Sequence, residues 1–150
     1  MNRRFNDFAS ERAGTAALEF ALVAPLLLLM LFGTVQFGVT LNNYMMLTSA
    51  TQSAARQFAL SRGAGSSTLC TTAKNQVSAA ASNLTLASLT VTCSVNLTPC
   101  TDASCQGALD LAQTAPATVR ATYPCDLMIY GHNYSSGLCT LTSQTTERIE

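Results

Sequence analysis

The sequence predicts an α+β protein. A long N-terminal transmembrane helix extends as a stalk, and a small disulfide-stapled C-terminal domain with a helix and about three antiparallel strands follows. Three observations carry this reading. From Phe20 to Ala55 the chain runs 36 positions without a charged residue. All six cysteines lie beyond that stretch. Several later segments alternate apolar residues with Thr or Ser, the period of a half-buried strand.

Composition narrows the function classes. Of 150 residues, 48% are hydrophobic and 11% charged, and eight Lys+Arg balance eight Asp+Glu. Zero net charge leaves no basic patch for phosphates, so no nucleic-acid partner is expected. Classical disorder, which pairs low hydrophobicity with high net charge, is excluded. With one His and no Trp, general-base chemistry has few candidates. No Ser-His-Asp spacing, phosphate loop or paired-acid pattern stands out, so neither an enzyme nor a cofactor is expected.

Four segments follow in order: a leader at 1–14, a transmembrane helix at 15–41, a helical stalk at 42–62 and an extracytoplasmic α+β domain at 63–150. Phe20 to Phe37 holds six Leu, three Phe and two Val. On an insertion scale these supply roughly −3 to −7 kcal/mol. A helix from Ala16 to Leu41 is about 39 Å long, enough to cross a hydrocarbon core of about 30 Å with tilt. A cleaved secretory signal fits less well, because LFGTVQFG after the leucines lacks an A-x-A-like site. A buried helix of a water-soluble protein fits worse, because the rest of the chain is too small to wrap it. Arg3, Arg4 and Arg12 precede the helix, and no Lys or Arg follows until Arg56. The positive-inside rule then puts the N-terminus in the cytoplasm of a single-pass protein of the cytoplasmic (inner) membrane, with the C-terminal domain periplasmic or extracellular.

Cysteine usage points the same way. Cys70, Cys93, Cys100, Cys105, Cys125 and Cys139 form an even set confined to the outer segment, which suits disulfides in an oxidising compartment. Six cysteines allow 15 pairings; proximity favours one local loop among Cys93, Cys100 and Cys105. No C-x2-C exists, and His132, beside Gly131 in an apparent exposed loop, is the lone imidazole, so no metal site is expected.

Glu19 stands at the mouth of the apolar helix. An acid inside a bilayer costs about 2.5–3.5 kcal/mol at the centre and less at the interface, so its default reading is functional, with an interfacial, headgroup-wetted Glu as the bland alternative. Cleavage after Gly14 would create an α-amine on Thr15, four positions before Glu19 on one helical face. Amine and carboxylate can neutralise each other within a chain or between neighbours and set the register of apolar helices packed side by side.

The string Gly14-Thr15-Ala16-Ala17-Leu18-Glu19-Phe20 resembles the prepilin peptidase site of type IV pilins and pseudopilins. The longer string R-A-G-T-A-A-L-E-F-A-L-V-A-P-L-L-L-L resembles the TadE-like family of the tight-adherence (Flp, type IVc) pilus system. Gly14, Glu19, Phe20, Ala21, Pro25 and Gly33 fill the places of its G-x-x-x-x-E-F-A-x-x-x-P core and trailing glycine. The match is specific over about residues 10–60 and loose at VRATYPCDL and from Leu138 to Glu150. The resemblance implies a minor pilin or pseudopilin of a tight-adherence pilus. Its implied partners are the lipid bilayer, a prepilin peptidase that cuts between Gly14 and Thr15, other pilins and membrane-platform proteins. Glu19, Phe20 and Pro25 are the implied helix-packing and N-terminus-pairing residues. An uncleaved single-pass assembly factor that scaffolds the pilus machinery is the alternative. The cysteines are not part of the resemblance.

Pro25 removes one helical hydrogen bond and tends to kink, which membrane helices tolerate. From Leu41 to Leu60, apolar Leu41, Met45, Ala55 and Phe58 recur near helical spacing, with small Ser49, Ala50, Ser53 and Ala54 between them. This stretch can pack against neighbouring subunits or against its own domain. Arg62-Gly63-Ala64-Gly65 supplies a turn. Across residues 61–150, 26 Ser and Thr outnumber nine charged residues. Ser66–Asn83 reads as a helix, and Leu84–Leu97, Thr118–Tyr123 and Thr140–Arg148 read as strands. Pro99–Pro116 reads as a cysteine-bearing loop with a short helical piece.

Overall fold

The computed structural model describes residues 3–125, 128–129, 132–133 and 139–149. They fall into two compact units, Met1–Val39 and Thr40–Glu150. Helix α1 spans Arg3–Leu60 and contributes to both. In the first unit its large apolar side chains are exposed on every face: Leu22 at 74%, Leu29 at 70% and Phe37 at 71%. Leu and Phe recur there without the one-sided stripe of a soluble surface helix, so no face is left for water.

In the second unit α1 changes character. Leu47, Ala50, Thr51, Ala54, Ala55, Phe58 and Ala59 are buried, at spacings of three and four that form one stripe. The Thr51 hydroxyl donates to the Leu47 carbonyl, so its burial leaves no orphan donor. This stripe faces the chain's own domain. Leu41 and Met45 lie off it and are exposed, unlike the face read from their spacing. The helix ends at Leu60, and Gly63 and Gly65 follow with φ of 70° and 62°, a left-handed conformation that glycine adopts without a Cβ clash.

The remaining elements are α2 (Leu69–Ala80), a 3₁₀ turn (Leu86–Ser88), β1 (Thr90–Val95), β2 (Thr98–Cys100), α3 (Asp102–Leu111), β3 (Pro116–Pro124), β4 (Met128–Ile129), β5 (His132–Asn133) and β6 (Thr140–Arg148). Four strands form an antiparallel sheet in the order β2-β1-β3-β6. β4 and β5 pair as a separate two-stranded ribbon, so His132 belongs to a strand rather than a loop; its side chain lies outside the described residues. The strand expected over Leu84–Leu97 begins only at Thr90. Leu84 and Leu89 are buried, but they fill the core from a turn around the 3₁₀ segment rather than from a ladder. The cysteine-bearing loop expected over Pro99–Pro116 is largely β2 and the ten-residue helix α3.

One face of the sheet carries the core. Cys93 and Val95 on β1 and Ala117, Val119, Ala121 and Tyr123 on β3 are buried with Leu69, Ala73 and Val77 of α2, Leu109 of α3 and the α1 stripe. Small residues on the central strand allow close approach of the helices, and the Tyr123 hydroxyl meets that of Thr85 at 3.2 Å.

All six cysteines are paired: Cys70–Cys93, Cys100–Cys105 and Cys125–Cys139. Cys93 and Cys100 stand opposite each other in the β1–β2 ladder, yet each bonds a helix instead. Cys93 fastens α2 to β1, and Cys100 fastens α3 to β2. Cys125–Cys139 closes the β3–β6 end, where the Cys125 N–H also donates to the Cys139 carbonyl. A domain this small has a modest core, which these three bridges supplement.

Candidate functional site

Gly14, Thr15, Glu19, Phe20 and Pro25 all lie on α1 in the first unit and are exposed, Phe20 at 73%. Helical periodicity sets Thr15 and Glu19 one turn apart on one face. Phe20 is about 100° round the helix from Glu19, and Pro25 falls on neither side chain's line. Pro25 sits inside α1 without ending it and leaves the Ala21 carbonyl without its usual donor. A Cβ added at Gly14 would meet nothing within 4 Å, and Gly14 has no positive φ. Local packing therefore does not call for glycine there, while glycine inside a helix costs roughly 0.5–1 kcal/mol relative to alanine. Gly14 is a residue without a local structural reason.

One described helix is long and apolar enough to cross a membrane; the apolar stretch falls within Gly14–Leu60. Its exposed leucines and phenylalanines form a far larger contiguous apolar surface than a water-soluble monomer presents. Lipid or other apolar helices are the surroundings that satisfy it.

Among its described residues the second unit has no group of three or more His, Cys, Asp or Glu placed to hold a metal ion, and no free thiol. Its polar work is structural. The cap residue of α2, Thr68, makes no side-chain capping bond. Asp102, the first residue of α3, does the capping across the gap: its carboxylate accepts the Thr71 N–H at 2.8 Å and the Thr71 hydroxyl. Those bonds, the hydroxyl first, hold the Asp102 carboxyl below the usual carboxylate range. Asp110, at the other end of α3, accepts from the Gln106 amide at 2.9 Å and from the Gly63 N–H at 3.0 Å. The Gln106 bond, then the Gly63 bond, lowers its carboxyl too. Both acids went unread in the sequence. The Thr101-Asp-Ala-Ser104 string marks the start of α3, and the Ser104 hydroxyl accepts the Thr101 N–H at 2.9 Å. Which other helix Asp102 reaches is a tertiary fact without a local signal.

Residues 14–56 match the family model described as TadE-like protein. Over that segment the chain is similar to TadE-like proteins, in keeping with an association with the Tad pilus. The match includes Gly14, Thr15, Glu19, Phe20 and Pro25 and most of the α1 stripe, and it stops before the sheet. No curated protein and no solved structure gives a match.

Proposed function

We propose, from the TadE-like character of residues 14–56, that this protein is a single-pass minor pilin or pseudopilin of a tight-adherence pilus, processed by a prepilin peptidase between Gly14 and Thr15. Its role is structural. The observation that carries the reading is the conjunction of a sterically unexplained Gly14 with Glu19 five positions on, just before the stretch of α1 that exposes large apolar side chains on every face. After the cut, the new Thr15 amine stands one turn from the Glu19 carboxylate. Neutralisation lowers the cost of carrying the acid among apolar helices, and pairing with a neighbour's amine sets subunit register. The N-terminus lies in the cytoplasm, the span covers about 15–41, and the disulfide-bearing domain lies outside. Prepilin peptidase, other pilins and platform proteins are its partners.

One observation favours the uncleaved assembly factor as a second reading: α1 runs unbroken across the Gly14–Thr15 bond, whereas proteolytic sites favour exposed, loosely held backbone. The intact mass of protein recovered from cells containing the peptidase separates the two. Processing predicts a chain that starts at Thr15 and a Gly14→Ala variant that starts at Met1. A wild-type chain starting at Met1, absent from sheared filaments, supports the scaffold.

A further inference from the structure

Among the described residues no helix covers the second face of the four-stranded sheet. Its side chains alternate with the core-facing ones, and the strand register sets them in rungs. One rung is Thr90–Thr122–Thr142 and the next is Thr92–Arg120–Gln144. In a third, the hydroxyl of buried Thr118 meets that of exposed Thr146 at 2.9 Å. Arg148 stands at the foot of β6, opposite Pro116. Neighbouring rungs are about 6.6–6.8 Å apart along a strand, and neighbouring strands about 4.8 Å apart. The two central rungs contain no carboxylate, no aromatic ring and no aliphatic side chain; Pro99, Pro116 and Pro124 stand at the margins of the face. Arg120 is exposed at their centre, and no described carboxylate pairs with it.

This chemistry selects its occupant. A protein interface is anchored by aromatic or large aliphatic side chains, which the centre of the face lacks. A membrane surface needs an apolar or aromatic face to bury. Duplex nucleic acid needs more cations than two arginines supply. A polymer that is both hydroxylated and acidic matches what is there. A guanidinium grips a carboxylate through two parallel N–H donors. Threonine hydroxyls donate and accept, so those that donate to backbone carbonyls, as Thr92 does to Arg120 and Thr122 to Thr90, still accept from sugar hydroxyls. β-Branching leaves threonine little rotamer freedom to lose on binding. We propose that this outer sheet face binds an acidic polysaccharide, with Arg120 taking a uronate carboxylate and the accessible threonines of the neighbouring strands, Thr92 first, taking sugar hydroxyls. The proposal does not depend on whether the Gly14–Thr15 bond is cut.

The full chain in detergent micelles is tested by surface plasmon resonance against immobilised polygalacturonate, with dextran as the neutral polymer. Binding to polygalacturonate is expected to be at least about tenfold tighter than to dextran, and Arg120→Gln is expected to weaken it about tenfold or more. The Thr92→Val/Thr142→Val double variant, which keeps strand-forming β-branched residues, is expected to weaken it less. Lys74→Gln, on α2, is expected to leave it unchanged. Absence of binding, equal binding to dextran, or an equal loss with Lys74→Gln would overturn the proposal.

Discussion

The two stretches of α1 invert the usual rule of burial. Residues 18–39 carry the large apolar side chains and expose them, with Phe32 at 58%; residues 47–59 are richer in Ala, Ser and Thr and bury their stripe, with Phe58 at 2%. In water the first stretch would have the stronger reason to hide. The inversion makes sense when the two stretches meet different solvents, lipid around the first and the chain's own sheet beside the second. The second unit adds what a small domain needs, three disulfides and helix caps supplied across elements.

The sharpest contrast uses two phenylalanines of the same helix. Phe58→Ala is expected to destabilise the second unit by about 3–5 kcal/mol, the transfer loss plus a cavity at a fully packed site. Phe32→Ala, at a position 58% exposed, is expected to change the unfolding free energy of that unit by less than about 0.5 kcal/mol. Equal effects from the two would erase the distinction between the stretches.

The disulfides grade the second unit internally. In the chain-entropy account the stabilisation grows with loop length, and the pairs are separated by 23, 14 and 5 residues for Cys70–Cys93, Cys125–Cys139 and Cys100–Cys105. Replacing both members of the first pair by Ala is expected to cost about 3 kcal/mol and of the last about 2 kcal/mol, read by urea melts followed by circular dichroism. The reverse order would mean that the local pair holds native structure beyond closing its loop.

The smallest effect is electrostatic. Asp102 and Asp110 both have folded carboxyls lowered from the ordinary 3.8. A depressed folded value contributes stability above the unfolded pKa, and that stability is lost as pH falls through the folded one. Wild-type protein should therefore lose stability faster than Asp102→Asn or Asp110→Asn as pH drops below about 4. Acid titrations followed by circular dichroism check this. Parallel curves would deny both acids their capping role. Asp110 is exposed and Asp102 only half-buried, so solvent keeps the effect small.

How much of this was legible depended on whether the signal was local. The apolar run, the turn at Gly63–Gly65, β3 and β6 each carry their pattern within a few residues, and the structure has them where the alternation or composition put them. The failures come from tertiary context. Leu84, Leu86 and Leu89 mimic strand alternation, but the first and last fill the core from a turn. The three residues of β2 are too few to show a period and include Pro99, tolerated because β2 is an edge strand. Disulfide pairing was hidden because Cys93 and Cys100, opposed in the ladder, each take a helix partner, a choice made by how α2 and α3 dock. Of the candidate site, Gly14, Glu19 and Pro25 could be named from their spacing, while the steric freedom around Gly14 needed coordinates.

The claim beneath the comparison is that lipid surrounds the first stretch. Alkaline extraction of membranes from cells making the full chain tests it most directly. The account predicts wild-type protein in the membrane pellet and a Leu27→Arg/Leu29→Arg variant, at about 2.5–3.5 kcal/mol per arginine near the helix centre, shifted to the supernatant. Wild-type protein recovered in the supernatant as a monomer without detergent would contradict it.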